Sequence, residues 1–85
     1  MSQNYGYHIA NIERGEFGEL SKILEEVNEA IDAESQGCKI MILVELSDML
    51  GAIEGYLQKH HKDITLDDLH KMSQITKRAF KNGHR

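Results

Sequence analysis

The chain has no proline, no tryptophan and one cysteine in 85 residues. With a single thiol, Cys38, no intrachain disulfide can form, so the fold rests on packing alone and a reducing cytoplasm suits it. Without proline, punctuation falls to glycine. No apolar run reaches the roughly 18 residues of a membrane span, and no secretory leader or lipidation motif is evident; a soluble, intracellular, cytoplasmic protein is expected. Positive charge is also scarce, with 10 Lys and Arg against 14 acids and a formal net charge of −4. Such a balance argues against nonspecific binding to nucleic acid or anionic membranes. Paired-cysteine zinc spacing, a Ser-His-Asp order and a glycine-rich phosphate loop are all missing, which removes those chemistries from consideration.

What the chain does have is acid, in two groups: Glu25-Glu26-Val27-Asn28-Glu29, and then Glu45-Leu46-Ser47-Asp48. In each, acids three residues apart fall on one face of a helix, about one turn apart along its axis. Alone, the first group reads equally as a solvated acidic face. The second lies inside Ile40-Met41-Ile42-Leu43-Val44-Glu45-Leu46-Ser47-Asp48-Met49-Leu50, otherwise a buried helix. Carboxylates in such a setting must be paired, protonated or ligated to a cation. A hard divalent cation such as Mg²⁺ answers that need and leaves coordination positions for water and phosphate. Two such couples on antiparallel neighbouring helices would supply Glu26, Glu29, Glu45 and Asp48 to one site.

Around these groups the pattern is helical throughout. Leu20, Ile23, Leu24, Val27 and Ile31 recur at helical spacing and predict a helix over about 16–35, closed by Gly37, with Glu16 and Glu19 suiting its positive end. A second helix is predicted over about 38–60. It carries Leu43, Leu46, Leu50, Ile53 and Leu57 on one side, with Met41, Met49, Ala52 and Tyr56 beside the acids on the other. Thr65 and Asp68 form a capping box for a third helix over about 65–82, with Ile64 and Leu69 as its hydrophobic staple and Gly83 as its end. Residues 1–15 show no period and read as an irregular lead-in. The expectation is one all-α domain over 1–85. A chain this short buries only roughly 60–65% of its unfolded surface, and a second helix apolar on two sides needs more neighbours than one chain supplies, so homo-oligomerisation should complete the bundle.

The remaining polar residues divide by context. Lys22 stands one turn before Glu26, where it serves either as a salt bridge or as a phosphate contact. Most acids lie in residues 13–54, whereas 71–85 holds Lys71, Lys77, Arg78, Lys81 and Arg85 with no acid. That tail reads as a solvated face or as a clamp that sets a polyphosphate between itself and the acids. All five histidines, His8, His60, His61, His70 and His84, read as surface residues.

The two-part pattern Glu25-Glu26-x-x-Glu29 and Glu45-x-x-Asp48 resembles the EExxE and ExxD signature of the MazG-like all-α nucleoside triphosphate pyrophosphohydrolases. Gly15 to Ile23 and the tail Ile75 to Arg85 look like the small single-domain members carried by phages, and the likeness covers residues 12–85. The resemblance implies hydrolysis of a (deoxy)nucleoside triphosphate between the α and β phosphorus atoms, giving the monophosphate and pyrophosphate. It further implies Mg²⁺ or Mn²⁺ held by Glu26, Glu29, Glu45 and Asp48, and Glu25 orienting or deprotonating the attacking water. Lys22, Lys77 and Arg78 would contact substrate, and the assembly would be a dimer or a dimer of dimers. The chain is short for that family, which moves base recognition to a partner subunit or to the lead-in. Two other readings share the acids: a phosphoribosyl-ATP pyrophosphohydrolase-like enzyme, and a non-catalytic helical dimer around a structural cation.

Overall fold

Glycine sets both ends of the first helix. The computed structural model describes His8 and residues 10–81, the side chains of 78–81 excepted, and among these it is all-helical. Helix α1 spans Leu20–Ser35, α2 Lys39–His60 and α3 Leu66–Lys81. The first helix starts four residues later than its periodicity suggests, because Gly18 takes a positive φ of 93° and turns the chain just ahead of it. Glu19 is therefore the N-cap rather than a first-turn acid, and its carboxylate is engaged elsewhere, by Lys59 and His60.

The end of α1 is a Schellman motif. Gly37 has φ +74°, its N–H donates to Glu34 O at 2.9 Å, and the Cys38 N–H reaches back to Ala33 O at 3.1 Å. Those two bonds use carbonyls that the helix leaves orphaned, and only glycine enters this left-handed conformation without a steric cost. The connector is so short that α2 must fold straight back along α1. Pairing of Glu19, at the start of α1, with Lys59 and His60, at the end of α2, confirms an antiparallel hairpin. The Phe17 ring caps the same end, lying so close over Gly55 of α2 that a Cβ there would come within 2.4 Å of it.

The capping box of α3 forms as expected: the Thr65 N–H donates to Asp68 Oδ2 at 2.9 Å and the Asp68 N–H to Thr65 Oγ1 at 3.1 Å. This helix packs on α2 alone. Leu50 and Ile53 of α2 share a groove with Leu66 and Leu69 of α3. Gly83, Ala79, Phe80 and the tail beyond, expected to finish this helix, lie outside the described residues or have undescribed side chains.

The interior of the α1/α2 hairpin reverses the usual sorting. Ala33, Ala52 and Leu57 are its buried apolar residues, whereas Glu25, Glu26, Asp32 and Glu45 are buried beside them. The apolar stripe of α1 is largely turned outward: Leu20, Leu24 and Ile31 are each more than half exposed, whereas Ile23 and Val27 are half-buried. On α2, Leu43, Leu46 and Leu50 of the leucine stripe are exposed, but Ile53 is half-buried and Leu57 buried, while Met41, Met49 and Tyr56 are half-buried and Ala52 is fully covered. The reason is geometric: α1 presents two faces, one acidic and one apolar, and within this hairpin the acidic one meets α2.

Candidate metal centre

Each element of the hairpin contributes to one cluster. Helix α1 supplies Glu25, Glu26, Glu29 and Asp32, with Glu25, Glu29 and Asp32 at i, i+4 and i+7. Facing them, α2 supplies Glu45, 1% exposed, and Asp48 at the exposed rim. Candidate ligand atoms fall into overlapping trios, each within 4.8 Å: Glu25, Glu26 and Glu29; Glu26, Glu45 and Asp48; and His8, Glu29 and Glu45. All of the metal-ligating residues expected from the sequence thus come together, and Glu26, Glu29 and Glu45 are shared between trios.

Among the described residues of the lead-in, His8 lies in this cluster and corrects an expectation. His8 is no surface residue; its side chain is 1% exposed and is inserted among the acids. Nδ1 lies 2.9 Å from Asp32 Oδ2, and Nε2 lies 3.1 Å from Glu45 Oε2 and 3.8 Å from Glu29 Oε1. Asp32 is further held by the Ala10 N–H at 3.0 Å and Gln36 Nε2 at 2.9 Å. Gly15 approaches α1 so closely that a Cβ would strike the Ser21 carbonyl at 2.1 Å, and its N–H donates to Glu25 Oε1 at 2.8 Å. An isolated histidine in an aperiodic segment carries no signal in the sequence. Asp32 did carry one, since it continues the helical spacing of Glu25 and Glu29. Of the other histidines, His60 pairs with Glu19, and His61 and His70 are exposed as expected; His84 lies outside the described residues.

Lys22 forms the salt bridge that one of its two readings expects, with Nζ at 3.2 Å from Glu25 Oε1 and 3.4 Å from Glu26 Oε2. Lys77 is exposed on α3, which has no contact with α1, so one chain does not bring it to the acids; the Arg78 side chain lies outside the description.

The electrostatics follow from crowding. Burial raises the Glu29 carboxyl from 4.5 to about 7, helped by a hydrogen bond and charge repulsion from Glu45 and by the charge of Glu25. Burial and the Glu29 charge raise Glu26 as well. In Glu25 burial pushes upward, but the Gly15 N–H and Lys22 outweigh it and hold the carboxyl below its usual value. Burial lowers His8 less than Asp32, Glu29 and Glu45 raise it, and the net shift is upward from 6.5. Even with Lys22 and His8 in place, two buried carboxylate oxygens, Glu26 Oε1 and Glu45 Oε1, have no hydrogen-bond partner among the described residues. A buried acceptor left that way is costly, and for charged groups the cost is higher. An oxygen-rich donor set with orphaned oxygens fits a hard divalent cation, and Glu26, Glu29, Glu45 and Asp48 are the residues that would hold it.

No family model, curated protein or solved structure matches the chain. The reading of the site therefore stands on its geometry. A groove of about 460 Å³ runs beside it, between residues 10–13 of the lead-in and Asn28, Ile31, Asp32 and Ser35 of α1.

The raised Glu29 and His8 values set a pH dependence. Between about 4.5 and 7 the folded Glu29 binds more protons than it does unfolded, so its contribution makes stability fall as pH rises through that window. His8 acts in the same sense: its stabilisation is complete below 6.5 and is lost as pH rises through its higher folded value. Glu25 works oppositely, but at the acid end, below its ordinary 4.5. The melting temperature of chelator-treated protein should accordingly drop between pH 6 and pH 8. A flat or rising profile over that range would contradict the arrangement of charges described here.

Proposed function

We propose that the protein is a metal-dependent (deoxy)nucleoside triphosphate pyrophosphohydrolase that cleaves between the α and β phosphates and so acts on the nucleotide pool. The observation that carries this reading is the convergence of Glu26, Glu29, Glu45 and Asp48, with buried oxygens of Glu26 and Glu45 left without a hydrogen-bond partner among the described residues. Mg²⁺ or Mn²⁺ there would neutralise triphosphate charge and act as a Lewis acid on phosphorus. The chain's own residues supply the rest. Glu25 stays ionised near neutrality because the Gly15 N–H and Lys22 stabilise its carboxylate, and its Oε1 is pinned by both, so it is oriented to accept a proton from the attacking water. Lys22, partly exposed at the edge of the cluster, meets an incoming phosphate without leaving its acids. Positioning and charge neutralisation are the main demands of this reaction, and neither needs a larger scaffold.

The same reading takes the assembly as a homo-oligomer. Leu43, Leu46 and Leu50 form an exposed stripe on α2, with Leu20, Leu24 and Ile31 exposed on α1 and Met72 and Ile75 on α3. Contiguous apolar faces of this kind mark association surfaces, and a second copy of this chain is the occupant that completes a bundle of helices around two acid clusters. Lys77, exposed on α3, and its neighbour in sequence Arg78 would then serve a site of another copy. A phosphoribosyl-ATP substrate and a purely structural cation use the same acids. Pyrophosphate release separates the enzyme from the structural reading, and competition between dNTPs and phosphoribosyl-ATP separates the substrates.

Two outcomes are expected. Glu45→Gln abolishes pyrophosphate release from every (d)NTP in a screen with Mg²⁺, yet raises the melting temperature of the metal-free protein by removing a buried charge from a repelling cluster. Glu25→Gln, by contrast, keeps metal-induced stabilisation while slowing hydrolysis by about 10²–10⁴-fold; full activity in the Glu45 variant would remove the ligand assignment. In light scattering, wild-type protein should have at least twice the 9.7 kDa chain mass, and Leu46→Lys should dissociate or unfold it. A monomeric wild type would overturn the assembly.

A further inference from the structure

His8 is the one nitrogen among the ligand trios of the described residues, and besides balancing acids it is held in one orientation. Asp32 Oδ2 accepts from Nδ1 at 2.9 Å, and Asp32 is itself fixed by the Ala10 N–H and Gln36 Nε2. An ionised carboxylate only accepts, so Nδ1 donates to Asp32 and the ring is locked in one orientation. Nε2 meets Glu45 Oε2 at 3.1 Å and Glu29 Oε1 at 3.8 Å, and a cation that takes its lone pair displaces the proton Nε2 shares with Glu45. A carboxylate holding the far nitrogen of an imidazole is the usual support of a metal-ligating histidine. A second observation lies in the same place: Glu45 is 1% exposed, and its Oε1 has no hydrogen-bond partner among the described residues.

We propose that His8 Nε2, Glu29 and Glu45 form a mixed nitrogen and oxygen cation position beside the all-oxygen one, with Asp32 as its positioning residue. The proposal rests on the acid cluster being a cation centre, and it adds a preference. Mg²⁺ takes oxygen ligands, whereas imidazole suits first-row transition ions, so the site should select Mn²⁺ or Co²⁺ over Mg²⁺.

Pulsed EPR of Mn²⁺ bound to the full chain tests this directly, because a coordinated imidazole imprints ¹⁴N modulation on the electron spin echo. Wild-type protein should show that modulation. His8→Gln should abolish it, and Mn²⁺ affinity should fall at least tenfold while Mg²⁺ affinity changes little. Asp32→Asn, which keeps the ligand but loosens its support, should weaken Mn²⁺ by about 10–100-fold. Bound Mn²⁺ without ¹⁴N modulation in wild type, or modulation that survives in His8→Gln, overturns the His8 assignment and leaves the oxygen site standing. Absence of any Mn²⁺ binding overturns both. The wild-type spectrum decides the matter even if a variant fails to fold.

Discussion

Everything in this hairpin turns on carboxylates from two helices meeting in its interior. Glu26 and Glu29 on α1 face Glu45 on α2 where a soluble protein would ordinarily place leucines. Moving even one ion out of water costs several kcal/mol after relaxation, and repulsion between neighbouring acids adds to that. Lys22 and His8 offset part of the cost, and Glu29, raised to about 7, offsets more by taking up a proton. The orphaned oxygens of Glu26 and Glu45 mark what these groups leave unanswered. A divalent cation there would answer it, and the stability forgone without the cation would be recovered as differential binding to the folded state.

From that constraint the inside-out look of the chain follows. Because the acidic face of α1 is turned to α2, its leucines are turned away, and the Leu43, Leu46 and Leu50 stripe of α2 is left exposed as well. The hairpin's ends are clamped by local contacts: the Schellman motif at Gly37, and Glu19 with Lys59 and His60 at the other end. Those hold the register that brings Glu45 opposite Glu29. What the hairpin lacks among its described residues is a conventional core, and the proposed second copy would supply one to a chain of 85 residues.

The helices were legible because periodicity and glycine placement act locally. Gly37 and the Thr65 and Asp68 box end and begin helices through bonds to residues three to five positions away, so the sequence shows them directly. The acid couples were legible for the same reason, since i, i+3 spacing fixes a shared face. Which face of α1 turns inward was not, because two faces of different chemistry compete and the choice depends on what α2 offers. His8 was invisible for a related reason: a lead-in without period places its side chains by long-range contacts, here to Asp32 and Glu45, far along the chain. The resemblance to MazG-like pyrophosphohydrolases pointed to the acids that lie together here, but not to the histidine among them.

If the cluster exists to hold a divalent cation, calorimetric titration of Mn²⁺ into metal-free wild-type protein at pH 8, alongside Glu45→Gln, tests it most directly. Saturable binding is expected in the wild type and its loss in the variant. Absence of saturable binding in the wild type, or equal binding in the two proteins, would contradict that role for the acids.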